Sequence, residues 1–343
     1  MTDRFLRACR REEVDATPVW FMRQAGRYMP EYRALRARHG FLEICFEPEL
    51  AAEATLQPIR VFDLDAAILF SDILVPLVSM GIDLEFSESE GPVIRNPIAS
   101  EADISALRRI DPREELGGVM AALGLVKREL ASKAALIGFA GAPFTLASYI
   151  IEGGSSRNFL KTKRLMYGES RLWHALLGKI SDMVADYLIA QADAGADVVQ
   201  VFDSWAGCLG PEDYREYVLP HSKPIFEALK SGGIPSIHFA ADSSTLLSAM
   251  RDAGGDVIGF DWRSDLAEAW EKVGFDRAVQ GNLDPAALFA PRGQIERRVK
   301  AILGKAAGRN GHIFNLGHGI LPDTPVENVS ALVEMVHEYS RRR

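Results

Sequence analysis

Five arginines and a single glutamate fall within the residues from Arg23 to Arg38, in a chain whose 39 lysines and arginines are outnumbered by 47 aspartates and glutamates. Arg23 and Arg27, four apart in "MRQAGR", would share one helical face, but Gly26 between them and Pro30 just beyond predict an irregular loop instead. A charge run is ordinarily a solvated face. This one is embedded among Trp20, Phe21, Met22, Tyr28 and Met29, and guanidinium groups in an apolar-walled loop suit two-pronged binding of carboxylates or phosphates. An anion site is the better reading. Four other positions carry polar groups that can do chemistry: Asp72 in "FSDILVP", Tyr149 in "LASYIIEGG", Asp203 with Ser204 in "VFDSW", and His318 in "LGHG". Each has a plainer alternative. Asp72 is as readily the N-cap of a short helix, Asp203 and Ser204 can simply close a turn, Tyr149 can sit half-buried on an amphipathic helix, and His318 can be a hydrogen-bonded turn residue.

The elements that would position these groups recur along the chain. Short apolar, β-branched runs are followed by turns and longer amphipathic stretches: 18–21, 65–70, 134–140, 197–202, 235–239, 256–261, 278–283 and 312–317. Near-continuous apolar runs are the signature of parallel strands covered on both faces. Eight of them alternating with helices predict a (β/α)₈ TIM barrel of the α/β class, one domain over residues 1–343, with a doubly wound sheet as the alternative. Residues 170–195 show a helical stripe (Leu172, Leu176, Ile180, Met183, Tyr187) stopped by Gly195. Thr324 with Pro325 and Glu327, and Ser264 before "DLAEAWEKV", read as helix N-caps. Residues 81–97 alternate around "SESEG" and predict a hairpin inserted after the second strand. In a barrel, functional groups belong at the carboxyl ends of the strands, and the polar tails "MRQAGR", "SD", "GAPFTLASY", "DSW" and "HG" all follow their strands.

Composition bounds the function. With 48% hydrophobic residues the chain can bury a sizeable core, and a formal charge of -8 argues against a nucleic-acid or anionic-membrane surface. Cys9, Cys45 and Cys208 are widely spaced with no CxxC pair, which suggests neither a disulfide framework nor a zinc knuckle and fits a reducing cytoplasm. The first fifteen residues lack an apolar core and no stretch approaches about 18 uninterrupted apolar residues, so neither a leader nor a membrane span is expected. GxxxxGK[ST], GxGxxG after a strand, HExxH and GxSxG are all missing from the sequence.

Taken together, "PVWFMRQAGRYMPEYR", "FSDILVP", "GFAGAPFTLASYIIEGG", "VFDSWAG" and "NLGHGILPDTP" strongly resemble the uroporphyrinogen decarboxylase family, from about Thr17 to the final helix. The resemblance implies a single (β/α)₈ barrel, a homodimer with facing clefts, and cofactor-free conversion of four tetrapyrrole acetate arms to methyls. It also implies site residues. Arg23 and Arg27 would bind substrate carboxylates, helped by the intervening Gln24, Ala25 and Gly26. Asp72 would meet the pyrrole N–H groups, Tyr149, Ser204 and His318 would complete the polar contacts, and Phe41, Ile68, Phe139 and Phe202 would line the apolar wall. Asp72 and Arg23 are the candidate catalytic pair, although an arginine ordinarily titrates above about 12 and so makes a poor acid; His318 or a water held by Tyr149 is the alternative proton donor. Arg36 resembles a family arginine with a structural role, and Phe144 stands where tryptophan is expected in some members. The substrate so implied carries eight carboxylates, which an acidic protein must meet with a local positive mouth. A corrinoid-dependent methyltransferase on the same barrel would need a His-x-Cys zinc pair, and the matching place reads His238, Phe239, Ala240. A non-catalytic tetrapyrrole carrier is the reading from another class.

Overall fold

The computed structural model describes residues 3–87 and 91–342. Its strands are β1 (Ala66–Ile68), β2 (Leu84–Ser87), β3 (Gly91–Ile94), β4 (Ala135–Gly141), β5 (Val198–Asp203), β6 (Ser236–Ala240), β7 (Val257–Phe260), β8 (Ala278–Gln280) and β9 (His312–Ile313). All but β2 and β3 join one parallel sheet in the order β1-β4-β5-β6-β7-β8-β9. The apolar runs follow from this placement. Every residue of β4 is buried, as expected of a strand covered on both faces. Along β6, Ile237 and Phe239 join an interior cluster with Ala66, Ile137, Val198, Val257 and Ile313. The alternate residue, His238, packs against Phe226 of the helix Leu219–Ser231 on the outer side.

The predicted first strand, 18–21, does not form. Val19 makes only an isolated parallel bridge to Phe314: toward β9 the Met22 N–H goes to the Asn315 side chain (3.3 Å), and toward β1 the Val19 N–H goes to the Asp65 carboxylate (2.7 Å), each in place of a backbone carbonyl. The segment still touches both sheet edges. Phe314 N–H donates to Pro18 O, and Asp65 N–H donates to Val19 O. Inside, Trp20 Nε1 donates to Gln280 Oε1 (3.0 Å), and Gln280 Nε2 donates to Gln200 Oε1 (3.1 Å). The seven-stranded sheet is therefore curled, with one segment lying between β1 and β9.

The helix Asp3–Cys9 packs Phe5, Ala8 and Cys9 into the interior cluster. Arg4 reaches Asp65, just before β1, at 2.7 Å. This helix thus sits at the amino ends of the strands and leaves their carboxyl ends for ligand. The predicted helix at 170–195 forms as Ser170–Asp193, burying Leu176, Ile180, Met183 and Tyr187, and Gly195 follows at φ +122°. The two predicted caps are misplaced. Helix Leu266–Val273 is capped by Asp265, whose carboxylate accepts the Ala267 and Glu268 N–H groups, while the Ser264 hydroxyl has no partner among the described residues. A carboxylate at a helix start is the stronger acceptor. Helix Val326–Ser340 begins at Pro325 with no side-chain cap, and the Thr324 hydroxyl is likewise unpaired.

The hairpin forms as β2 and β3, with Leu84 opposite Ile94 and Ser87 opposite Gly91. Its tip, 88–90, lies outside the described residues. Val93 bridges to Gly154, and Ile94 N–H donates to Gly153 O, so the hairpin is tied to the end of the helix Pro143–Glu152.

Candidate active site

Four loops bring the chemistry together at the carboxyl ends of the strands. Residues 22–27 follow the bridging segment, Ser71 and Asp72 follow β1, Ser204 and Trp205 follow β5, and Gly317 to Gly319 follow β9. Arg23 lies in the left-handed region, at φ +58°, a conformation that costs a non-glycine residue roughly 1 kcal/mol. Its stem lies on Gly319, where an added Cβ would stand 2.4 Å from Arg23 Cδ. Glycine in the "GHG" motif is what lets that guanidinium cross to the β9 loop.

Gln24, expected to help through its backbone, has its side chain buried, where it braces the loop. Its amide accepts from Phe21 N–H (3.1 Å) and donates to Ala66 O (3.1 Å), while Tyr28 OH donates to its carbonyl (2.7 Å). The N–H groups of Ala25, Gly26 and Arg27 take no acceptor among the described residues. With Arg23 and Arg27 both exposed, the loop presents donors and positive charge together, which is what an anion requires.

Asp72 lies two residues before the N-cap, Leu74, of the helix Val75–Ser79, which has no side-chain cap. One oxygen accepts Leu74 N–H at 2.9 Å and so opens the turn before that helix, while the other takes no partner among the described residues. Burial raises its pKa above the ordinary value, opposed by the Leu74 bond and by the positive charge of Arg23. Tyr149 stacks on Trp205 with ring centres 3.8 Å apart. Its phenol is pushed up to about 12, first by burial and then by the negative charge of Asp72, so it stays protonated.

His318 accepts Gly319 N–H at Nδ1 (2.8 Å), which leaves its proton on Nε2. Burial and the repulsion of Arg23 hold it down to about 4, so at neutral pH it is an N–H donor without charge. Arg23, Asp72, Tyr149 and His318 are thus electrostatically one group. The wall beneath is aromatic: Phe139 meets Phe202 at 5.6 Å, and Phe202 meets Phe239 at 5.8 Å. Ile68 and Phe202 pack on the interior cluster. Phe41 stands further out, against Phe70 and Phe86 of the hairpin. Arg36 spans from His39 O (2.6 Å) to the Phe41 ring, and Phe144 packs edge-on against Trp173, away from the polar group.

Three neighbours were not singled out from the sequence: Trp205, Asp261 and Arg263. Arg263 bonds Asp242 (2.8 Å) and Asp261 (2.7 Å) and lies over Trp262 at 4.2 Å. Its charge adds to that of Arg23 in keeping His318 neutral. The signal was present in "GFDWR", an acid at the end of an apolar run, as in "LFSD" and "VFDS".

A family model described as "Uroporphyrinogen decarboxylase (URO-D)" matches residues 1–339. A protein from Carboxydothermus hydrogenoformans named uroporphyrinogen decarboxylase is 59% identical over 340 residues, covering 99% of this chain and 97% of the relative. One of the same name from Sorangium cellulosum is 58% identical over 341 residues, again covering 99% and 97%. Among solved structures, a methyltransferase from Methanosarcina mazei superposes with a TM-score of 0.81 at 21% identity, covering 98% of each chain; that likeness speaks of fold alone. Matched by that model over nearly its whole length, and more than half identical to relatives of one name, the chain belongs to the uroporphyrinogen decarboxylase family.

Proposed function

We propose that this protein removes carbon dioxide from the four acetate arms of uroporphyrinogen, giving coproporphyrinogen in tetrapyrrole biosynthesis, and that it does so without metal or organic cofactor. The observation that carries the reading is the pairing of a half-free carboxylate, Asp72, with an exposed arginine loop above an aromatic wall. Loss of carbon dioxide leaves the bonding electron pair on carbon, and protonation of the pyrrole at a ring carbon turns the ring into the acceptor of that pair. Protonation of the resulting enamine at the exocyclic carbon gives the methyl group, and release of the proton first placed on the ring carbon restores the pyrrole, so each cycle consumes one proton overall. Asp72 provides the fixed negative charge beside the ring nitrogens where positive charge develops. Pyrrole N–H donors would lower its pKa again and hold it ionised.

Arg23, Arg27 and the free N–H groups of Ala25 to Arg27 take the peripheral carboxylates, Ser204 adds a hydroxyl, and Phe41, Ile68, Phe139 and Phe202 line the ring's seat. Neutral His318 contributes an Nε2–H to a substrate oxygen, and its depressed pKa makes it a minor source of protons at pH 7. That leaves Arg23, or a water held by Tyr149, as the proton donor. We also read the curled sheet and segment 18–21 as one closed eight-membered barrel domain, working as a homodimer in the cytoplasm. The methyl-transfer alternative loses ground because His238 faces the helical layer and Ala240 provides no thiolate. Purified protein should convert uroporphyrinogen to coproporphyrinogen and carbon dioxide in the presence of a chelator and with nothing else added. Inertness until a metal or organic helper is supplied would overturn the reading.

A further inference from the structure

Asp203 is a buried acid that the proposed chemistry does not use. It ends β5 with no exposed surface; one oxygen accepts the Thr145 hydroxyl at 2.9 Å, and the other meets no donor among the described residues. Burying a carboxylate this way is costly, and its pKa is pushed up to about 7 by loss of solvent. A residue kept at such a cost without reaching a ligand calls for another role.

Thr145, fully buried on the helix Pro143–Glu152, supplies it. The same hydroxyl that donates to Asp203 accepts Trp205 N–H at 3.2 Å. Its single proton and its lone pair are therefore both committed, and the turn that carries Ser204 is pinned from both sides. Trp205 then presents its indole as the plate on which Tyr149 stacks. Tyr149 comes from the same helix as Thr145, one turn further on, so Thr145 fixes both members of the stack to one frame.

We propose that Asp203 and Thr145 form a positioning pair for decarboxylation: they lock the Ser204–Trp205 turn, and through the Trp205 ring they hold the Tyr149 hydroxyl in register with Asp72. The inference rests on the decarboxylase reading above. Hydroxyl-mediated locks act on the geometry of the reacting complex, so they act on kcat more than on KM.

Thr145→Val removes the hydroxyl at nearly constant volume. It is expected to lower kcat with uroporphyrinogen by about 10- to 100-fold, with KM within about twofold. Thr145→Ser, which restores the hydroxyl, should return kcat to within a few-fold of the parent, and Asp203→Asn, which keeps an acceptor for Thr145, should do likewise. A Thr145→Val variant with kcat within twofold of the parent, or a Thr145→Ser variant as impaired as Thr145→Val, would overturn the proposal. Amide exchange at Trp205 reads the lock without turnover: it should be slow in the parent and faster in Thr145→Val, and equal rates would also overturn it. Absence of turnover in the unmodified protein, with the Trp205 amide protected as expected, would instead sink the decarboxylase reading and the catalytic role with it, while the lock itself stood.

Discussion

Asp72 lies in the loop after β1 and Asp203 ends β5, and the two are partnered differently: Asp72 accepts a backbone N–H, while Asp203 is sealed under a threonine hydroxyl. Asp72→Asn keeps the Leu74 bond and the shape of the pocket but removes the charge. Loss of a preorganised electrostatic group is expected to cut kcat by about 10³-fold while coproporphyrinogen binding is retained. Unchanged turnover in Asp72→Asn would remove the electron-sink assignment, and binding without turnover in the parent would favour the carrier reading. Asp203 makes a different prediction. Its folded pKa, about 7, is raised above the ordinary carboxylate value, so the native state holds this proton more tightly than the unfolded chain. The resulting stability is present in full below the unfolded pKa and is lost as pH rises through about 7. Asp203→Asn does not titrate, so it should exceed the parent by a few kcal/mol at pH 8 and match it near pH 4. Denaturant unfolding at the two pH values measures the difference, and a gap that is the same at both would refute the shift.

At the scale of elements, the seam between β1 and β9 is held by side chains as much as by backbone. Asp65 accepts Val19 N–H, His337 Nε2 (2.8 Å) and Arg4 Nη1 (2.7 Å), joining the segment before the arginine loop to β1, to the helix Asp3–Cys9 and to the helix Val326–Ser340. Breaking a largely buried ion pair by removing one partner leaves the other charge stranded. Asp65→Ala is expected to cost about 3 kcal/mol in denaturant unfolding. A loss below about 0.5 kcal/mol would show that backbone pairing alone closes the seam. The hairpin works at the same scale: Phe86 of β2 packs at a tilt against Phe41 at 4.6 Å, so an insertion outside the parallel sheet is tied to the segment that follows the arginine loop.

For the whole molecule, the charge distribution decides how a polyanion binds. A chain of formal charge -8 offers a polyanion no overall attraction, so local positive charge such as that of the exposed Arg23 and Arg27 must supply it. Exposed charges interact over roughly 10 Å at 0.1 M salt and far less at higher concentration. The KM for uroporphyrinogen should therefore rise several-fold between about 0.05 and 0.5 M sodium chloride, with kcat nearly constant. A salt-independent KM would mean that ring contacts, not charge, supply the affinity. Among the described residues no helix is long and apolar enough to cross a membrane.

The sequence by itself determined what depends on neighbours along the chain. Seven of its eight apolar runs became parallel strands, the alternation around "SESEG" became a hairpin, the periodic stretch at 170–195 became one helix, and the polar tails fell at the strands' carboxyl ends. Local periodicity records which face is buried, and burial drives these elements. Only the tertiary structure decided how groups far apart in sequence divide the work. Segment 18–21 made only a bridge because side chains far along the chain, Asp65 and Asn315, took the N–H groups of Val19 and Met22. Gln24 turned inward because Phe21 and Ala66 offered it partners. Of three acids that follow or end apolar runs, Asp72 took a single backbone N–H, Asp203 was sealed under Thr145, and Asp261 was held by Arg263. Those outcomes turn on desolvation and on partners brought together from across the sheet, which no window of sequence contains.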